Sequence, residues 1–273
     1  MRTIKASFIS KIVSDLSQEA NFVLRKDVLL ALKLALKKET NERAKSLLES
    51  IIENANIAKD EKLAICQDTG LPIVFAELGQ DVRIEGDLKT AIIKGVEAGY
   101  RKGYLRNSIV QDPLARGKSG YAPCVIHIDI VRGNKLKLTV LPKGFGCENK
   151  SKLKMLEPTV DIKEIKQFIL NCVKDAGPDA CPPYMVGVGI GGTADYAMLL
   201  AKKALLKEIS RPKTKLEREL LKEINKLNIG PMGLGGKTTC LGVNIETYPT
   251  HIAGLPVAVN ISCHALRSAT KTI

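Results

Sequence analysis

Residues 184–209 read YMVGVGIGGTADYAMLLAKKALLKEI, which joins an apolar run, a glycine loop and a helical pattern. The run YMVGVGIGG is typical of a buried strand that ends in a glycine loop. We expect a helix to begin at Thr193 and to continue to about residue 209. A strand followed at once by a helix indicates a chain in which both element types share one core.

The N-terminal half of the chain shows the same mixture. Apolar positions recur at helical spacing over residues 9–58 and predict two or three helices. The segments LAIC (63–66) and LPIVFAEL (71–78) predict two strands around a QDTG turn, and Asp87 begins the next helix. Residues 123–131 and 135–141 alternate around Gly133-Asn134, which predicts a β-hairpin.

The C-terminal half continues this order and sets the expected fold class. We predict a helix from Asp161 to Gly177, a helix after the capping box Thr214-x-x-Glu217, and strands at 239–246 and 255–262. The whole pattern predicts a mixed α/β (α+β) fold, with strands in more than one small sheet surrounded by helices and a site formed by loops at one face. We expect one domain over 1–273, with a helical part at 1–58 and a possible subdivision near 207–219.

Composition limits the classes of function. No apolar run reaches the roughly 18 residues that a membrane helix needs, and the N-terminus lacks a signal-peptide core, so we expect a soluble cytoplasmic protein. The net charge is +13, but lysine and arginine are spread over amphipathic helices and aromatic residues make up only 4% of the chain. We therefore expect solvated helix faces and no nucleic-acid partner. A basic RNA-binding subunit without enzymatic activity remains an alternative.

Seven cysteines are the chemically distinctive residues, and their odd number, wide spacing and lack of a CxxC pair argue against a disulfide framework or a zinc ribbon. Cys66 opens the polar turn CQDTG, Cys181 lies in ACPPY, and Cys263 follows His251 by 12 positions. Three thiolates from distant loops can hold a cubane cluster and leave one iron open to substrate. Spacing alone does not select these three cysteines from the seven.

Two glycine loops suggest nucleotide binding as an alternative of another class. GVGIGG (187–192) matches G-x-G-x-x-G, but no acidic residue ends a following strand about 20 positions later. GLGGKTT (233–239) ends like a phosphate-binding loop, but Pro231 stands where that motif needs its first glycine. Close backbone packing, or a backbone cradle for a carboxylate, explains these loops better.

Five motifs, taken together and in order, carry a resemblance to a known family. The chain is similar, over about residues 55–270, to the class I, iron–sulfur-dependent fumarate hydratase and L-tartrate dehydratase family. The motifs are CQDTG (66–70), GFGCENKS (144–151), ACPPY…GIGGT (180–193), GLGGK (233–237) and PTHIAGLPVAVNISC (249–263).

The resemblance implies a hydro-lyase that hydrates fumarate reversibly to (S)-malate, with tartrate dehydration as the alternative reaction. It implies a [4Fe–4S] cluster whose open iron binds a small dicarboxylate, and a substrate site lined by side chains of this chain. By the matching positions, the metal ligands are Cys66, Cys181 and Cys263, the substrate-binding residues are Gln67, Asp68, Arg106 and Gly146, and the catalytic residues are Asp68 and His251.

The resemblance also implies partners. One-chain members carry a further C-terminal domain with additional substrate contacts, and in two-subunit members that domain is a separate β subunit. We therefore expect an α subunit, a single iron–sulfur hydro-lyase catalytic domain, that is inactive without a β subunit and that self-associates as a dimer of αβ pairs. One departure from the family is the GFGC loop, where the family has GGGS, so the role of Cys147 is left open.

Overall fold

The computed structural model describes residues 2–273 and gives helices and strands in alternation. The helices are α1 (Ala6–Phe22), α2 (Lys26–Lys38), α3 (Glu42–Glu61), α4 (Leu88–Lys102), α5 (Phe145–Glu148, a single turn), α6 (Ile162–Ala176), α7 (Ala194–Leu206) and α8 (Lys215–Asn225). The strands are β1 (Arg2–Lys5), β2 (Leu71–Gly79), β3 (Val82–Glu85), β4 (Ile109–Asp112), β5 (Arg116–Gly120), β6 (Val125–Val131), β7 (Leu136–Lys143), β8 (Lys152–Leu156), β9 (Tyr184–Gly192), β10 (Cys240–Thr250), β11 (Leu255–Ser262) and β12 (Ala269–Thr272).

These strands form several small sheets, which confirms the predicted mixed α+β class. Two sheets have four strands, in the orders β12-β7-β2-β6 and β10-β9-β11-β8, and two further ribbons pair β1 with β3 and β4 with β5. The chain divides into two compact units. The first comprises residues 1–25, 55–145 and 267–273, and the second comprises residues 26–54 and 146–266.

The first unit is built on the sheet β12-β7-β2-β6. Helix α1 packs against α4 and lies over β7 and β12. Its core consists of apolar side chains from α1, α4, β2 and β7, among them Ile12, Ile92, Val74 and Leu138. Helix α4 begins at an N-cap, because the Asp87 side chain accepts a hydrogen bond from the backbone N–H of Thr90, as the sequence predicted.

The second unit places helices on both faces of the sheet β10-β9-β11-β8. Helix α7 packs on β9, β10 and β11. The opposite face carries the larger core, with Val186 and Val188 of β9 packed against Ile169 of α6 and Ile224 of α8. Local signals set both of these helices. Asp161 caps α6, and Thr214 and Glu217 form the predicted capping box of α8.

The predicted hairpin at 123–141 is wrong. Strands β6 and β7 belong to one sheet, but β2 lies between them, parallel to β6 and antiparallel to β7. Strand β2 is almost continuously buried and needs hydrogen-bonding neighbours on both sides. The turn that joins β6 to β7 passes around the end of β2, where Gly79 donates to the carbonyl of Lys135 and Gln80 to that of Val131.

Other predictions divide in the same way between local and distant causes. The three N-terminal helices and the strands β2, β9, β10 and β11 are confirmed. The strand predicted at 63–66 is wrong, because that segment is irregular and Ile65 N–H donates to the Asn21 carbonyl instead of joining a ladder. The helical part expected at 1–58 also contains β1 and is shared by both units. The single domain over 1–273, with its possible subdivision near 207–219, stays a prediction.

No helix within residues 2–273 has both the length and the apolar composition that crossing a bilayer requires.

Candidate functional site

The turn CQDTG lies between α3 and β2 and is fixed by three hydrogen bonds, two of them accepted by its own backbone carbonyls. The buried Tyr100 hydroxyl donates to the Thr69 carbonyl at 2.7 Å. The guanidinium of Arg267, 3% exposed, donates to the Asp68 carbonyl. The Thr69 hydroxyl in turn donates to the Arg106 carbonyl at 3.3 Å. The turn is therefore anchored from α4, from the segment after α4 and from the segment before β12.

The Asp68 carboxylate is held at both oxygens. Oδ1 accepts the backbone N–H of Gly70 at 3.0 Å, and Oδ2 accepts that of Phe145 at 2.9 Å. A Cβ atom on Gly144 would stand 3.1 Å from Oδ2, so a glycine at that position allows the loop to approach this closely. The structure therefore joins the start of the GFGC loop to the CQDTG turn. Each carboxylate oxygen keeps a lone pair for a further partner.

Within the first unit, three other predicted residues surround Asp68 in sequence or in space. Cys66 is half-buried, whereas Gln67 and Arg106 are exposed. The backbone of Arg106 is tied to the turn through Thr69. Cys66, Gln67 and Asp68 thus lie on one irregular segment, and a hydrogen bond joins that segment to the backbone of Arg106. Their roles as metal ligand and substrate-binding residues stay predictions.

In the second unit, the segments of Cys181 and Cys263 lie side by side. The Cys181 carbonyl accepts the backbone N–H of His264 at 3.3 Å and lies 3.1 Å from His264 Nδ1. A carbonyl oxygen only accepts, so His264 carries a proton on Nδ1. Cys181 itself has φ +54°, in the left-handed region, which is strained for a residue with a Cβ and recurs at functional sites.

The remaining predicted residues are also in the second unit. His251 is exposed in the turn between β10 and β11, and its Nδ1 accepts the backbone N–H of Ala253 at 3.2 Å. The neutral ring therefore carries its proton on Nε2, where it can donate to a ligand. Gly146 is exposed in α5. The side chain of Cys147 is buried in the core, where its Sγ donates to the Ala180 carbonyl at 3.4 Å.

The cysteines differ in their surroundings. Burial raises the pKa of Cys124 and Cys172 to about 11 and that of Cys240 to about 12, so these thiols stay protonated at neutral pH. Cys66, Cys181 and Cys263 are half-buried and lie in loops or directly after a strand. Cys124 is also half-buried in a loop, whereas Cys147, Cys172 and Cys240 are buried. A cluster needs thiolates at accessible loop positions, which disfavours the three buried cysteines, and the raised pKa of Cys124 disfavours its thiolate.

A single metal ion is a different question. Within residues 2–273, no three cysteine, histidine or acidic side chains converge as ligands of one ion. In an iron–sulfur cubane each cysteine binds a different iron atom, so its ligands need no common point.

The glycine loops are accounted for by packing. A Cβ on Gly187 would stand 2.1 Å from the Ala201 carbonyl oxygen, and one on Gly189 would stand 2.0 Å from that of Ala197. These glycines let β9 lie directly against α7. In the GLGGK loop, Lys237 N–H donates to the carboxylate of Glu39 at 2.7 Å, so this cradle holds a carboxylate of the chain itself.

Two buried basic residues next to the CQDTG turn are not among the residues that the sequence motifs predicted. Lys143, 2% exposed, ends β7 immediately before the GFGC loop. Arg267 donates to Asp68, while its Nε and Nη1 have no hydrogen-bond partner within residues 2–273. Two features of the sequence could have indicated them: Lys143 ends the strand pattern LKLTVLPK, and Arg267 lies four residues after Cys263. Many other basic residues lie on amphipathic helices, so these two did not stand out.

Comparison with known proteins gives a family and named relatives. The sequence model of the family described as fumarate hydratase (Fumerase) matches residues 10–272. A Methanocaldococcus jannaschii protein named "Putative L(+)-tartrate dehydratase subunit alpha" is 44% identical, over 97% of this chain and 97% of that protein. The L(+)-tartrate dehydratase subunit alpha of Escherichia coli K12 and that of Shigella sonnei are each 30% identical, over 97% of this chain and 90% of theirs.

Proposed function

The chain belongs to the fumarate hydratase (Fumerase) family, and from that premise we propose that it is the α subunit of a hydro-lyase that hydrates fumarate reversibly to (S)-malate. Membership over residues 10–272 carries the proposal. The Asp68 carboxylate, which accepts a hydrogen bond at each oxygen, supports the proposal, because a hydro-lyase needs a fixed proton-transfer group.

The reaction moves a weakly acidic proton. In the direction of dehydration, a base removes the hydrogen beside one carboxylate, and the hydroxyl on the next carbon departs. We assign the proton transfer to Asp68, whose carboxylate is kept in one orientation by two backbone N–H bonds. Such positioning lowers the cost of aligning base and substrate.

Other side chains are proposed to bind the dicarboxylate. Arg106 is exposed beside the CQDTG turn, and a guanidinium can bind a carboxylate with two parallel bonds. Gln67 offers an amide from the same turn, and Gly146 offers its exposed backbone. His251 can donate from Nε2, because its Nδ1 is engaged by Ala253.

We propose that Cys66, Cys181 and Cys263 hold a [4Fe–4S] cluster. When bound, the cluster supplies an open iron that acts as a Lewis acid towards carboxylate and hydroxyl oxygens. The assignment is supported by the family motifs and by the surroundings of each cysteine within its own unit. The strained backbone of Cys181 and the bonds from His264 hold one of these thiols in place.

The names of the relatives support a partner subunit. The proteins from M. jannaschii, E. coli and S. sonnei are each named a subunit alpha. We propose that this chain also requires a β subunit for turnover, located with it in the cytoplasm, and that αβ pairs self-associate into a dimer. L-tartrate is a second candidate substrate, because the same relatives are named for its dehydration.

Metal analysis tests the cluster, with the protein purified or reconstituted without oxygen. We expect about four irons and four sulfides per chain, and almost none in the triple variant Cys66→Ala, Cys181→Ala, Cys263→Ala. Cys124→Ala serves as the matched control and should keep its iron. A full iron content in the triple variant, or none in the parent under conditions that load a known cluster protein, would remove the cluster from the proposal.

Turnover with the β subunit present tests the substrate. We expect fumarate hydration at a higher kcat/KM than L-tartrate dehydration, and loss of both activities when the β subunit is omitted. A higher kcat/KM for L-tartrate would make tartrate the substrate. Activity on neither compound, with the cluster loaded, would contradict the assigned reaction.

A further inference from the structure

Strand β6 leaves one edge of the first unit's sheet exposed. It is the last strand in the order β12-β7-β2-β6 and pairs only with β2 within the described residues 2–273. Its seven residues, VIHIDIV, include Ile130 at 76% exposure and Ile128 at 36%. An apolar strand with an open edge is a template for pairing with another strand, and natural proteins normally blunt such edges with lysine, proline or a covering loop.

The sequence of β6 is self-complementary. When two copies run antiparallel about Ile128, Val125 stands opposite Val131 and Ile126 opposite Ile130. The two polar residues also match, because His127 stands opposite Asp129 in both halves. Cross-strand pairs of apolar residues stabilise antiparallel strands, and an imidazole N–H can donate to a carboxylate on the facing strand.

From these two observations we propose that two copies of this chain associate through β6, antiparallel across a twofold axis at Ile128. The sheet β12-β7-β2-β6 of one copy then joins the same sheet of the other copy, which gives one continuous sheet of eight strands. A twofold interface requires that residue i of one copy meets residue j of the other while j meets i. The pairing of Val125 with Val131 and of His127 with Asp129 fulfils that condition, which a strand of a different subunit would have no reason to match.

The two faces of β6 suit this arrangement. Ile126, Ile128 and Ile130 share the face of Val74 and Ala76 in β2, so pairing would extend the apolar face of the core across the axis. His127 lies on the other face, where its ring stacks on Phe75 at a centroid distance of 5.2 Å. That contact holds the imidazole on the face of the sheet that Asp129 of the second copy would share.

The inference rests on the self-association proposed above and on none of the residues assigned to catalysis. The β6 interface and the proposed hydro-lyase function can therefore be disproved independently of each other. Iron content and turnover report on the hydro-lyase site, whereas mass in solution and cross-linking report on β6.

Sedimentation and light scattering, on the chain alone and on its complex with the β subunit, test the surface. We expect Ile128→Lys to raise the αα dissociation constant by about tenfold or more, because it puts two like charges on the axis. Leu114→Lys is the matched control. Leu114 is 92% exposed in the turn between β4 and β5, and the same charge change there should leave the dissociation constant unaltered.

A charge swap tests the register. His127→Asp alone sets Asp opposite Asp129 and should weaken the dimer, whereas the double variant His127→Asp, Asp129→His restores the pairing of a histidine with an aspartate and should recover it. Mild oxidation should cross-link Ile128→Cys with its copy and leave Ile130→Cys uncross-linked, since only residue 128 meets itself. Melting curves and iron content confirm that each variant is folded.

Three results would overturn the proposal. The first is a parent chain that is monomeric alone and that forms only a single αβ pair with the β subunit. The second is an αα dissociation constant that is unchanged in Ile128→Lys and in His127→Asp. Finally, these variants could lose the β subunit while keeping αα association, which would assign the β6 edge to the β subunit instead.

Discussion

Asp68 shows how a single carboxylate is positioned by the whole turn around it. Its two oxygens accept backbone N–H groups from Gly70 and Phe145, and its carbonyl accepts the guanidinium of Arg267. These hydrogen bonds do not by themselves make Asp68 a base, but together they restrict its carboxylate to few orientations. A residue that needed only to form the turn would be satisfied by the bond to Gly70 alone.

We expect Asp68→Asn to lower kcat by about 10²–10⁴-fold, because the amide cannot take up a proton and offers only one acceptor to the two N–H groups. KM should change much less. The measurement is steady-state hydration by cluster-loaded protein with the β subunit present. Asp112→Asn is the matched control, since that exposed carboxylate also accepts two backbone N–H bonds, from Leu114 and Ala115. Near-normal turnover of Asp68→Asn would remove Asp68 from proton transfer.

At the scale of elements, Glu39 connects the end of α2 to the GLGGK loop. This carboxylate is 3% exposed, and it accepts the N–H groups of Thr40, Asn41 and Lys237. Burial by itself raises the pKa of Glu39, but the three backbone bonds outweigh it, so the pKa lies below its ordinary value of 4.5. The loop that resembles a phosphate cradle is thus occupied by an internal anion.

Glu39→Gln should lower the free energy of unfolding by about 1–3 kcal/mol at neutral pH, because a charged acceptor is lost from buried N–H donors. Because the folded-state pKa is depressed, the unfolded chain binds more protons in acid. The contribution of Glu39 is therefore present above the unfolded pKa and lost as the pH falls through the folded one. Urea unfolding at neutral pH and at the lowest pH that preserves the fold measures the free energy of unfolding of parent and variant. The difference between the two free energies should be smaller at the low pH.

The control for this prediction lies three residues away. Glu42 begins α3 and pairs with Lys45, but its side chain is 85% exposed, so Glu42→Gln should change stability by only a few tenths of a kcal/mol, about the value of an exposed pair. Equal losses in the two variants would show that the buried cradle contributes nothing particular.

At the scale of the whole molecule, the thiols separate into two groups by environment. Those of Cys124, Cys172 and Cys240 have a raised pKa through burial, and Cys147 is enclosed in the second core. Cys66, Cys181 and Cys263 are half-buried at loop positions. Cys124 has a similar exposure, and its raised pKa places it with the first group. Reactivity towards alkylating agents follows the thiolate fraction and access, so the same division should appear in chemistry.

We expect iodoacetamide to label Cys66, Cys181 and Cys263 of cluster-free native protein well before the other four cysteines, with peptide mass spectrometry as the readout. Each unit of raised pKa lowers the thiolate fraction about tenfold. Reconstitution with iron and sulfide should protect the three and leave the rest unchanged. Labelling in denaturant is the control, in which all seven cysteines should react alike. Early labelling of Cys240 would contradict the division.

Elements whose causes are local could be predicted from the amino-acid sequence. Asp87, Asp161 and Thr214 fix the starts of α4, α6 and α8, because a capping side chain bonds to a backbone N–H two or three residues away. Helical spacing likewise predicted two or three N-terminal helices, of which the structure has three, and the family motifs named the candidate residues. Each of these signals lies within a short stretch of chain.

The pairing of distant segments could not be predicted from local sequence. The tertiary structure placed β2 between β6 and β7, against the local hairpin signal. It also bonded the CQDTG turn to Arg106 and Arg267, where the bonded residues are 37 and 199 positions apart. The physical reason is that strand pairing and buried hydrogen bonds are chosen by competition among all segments that can reach each other. That competition involves the whole chain, and no local pattern records its result.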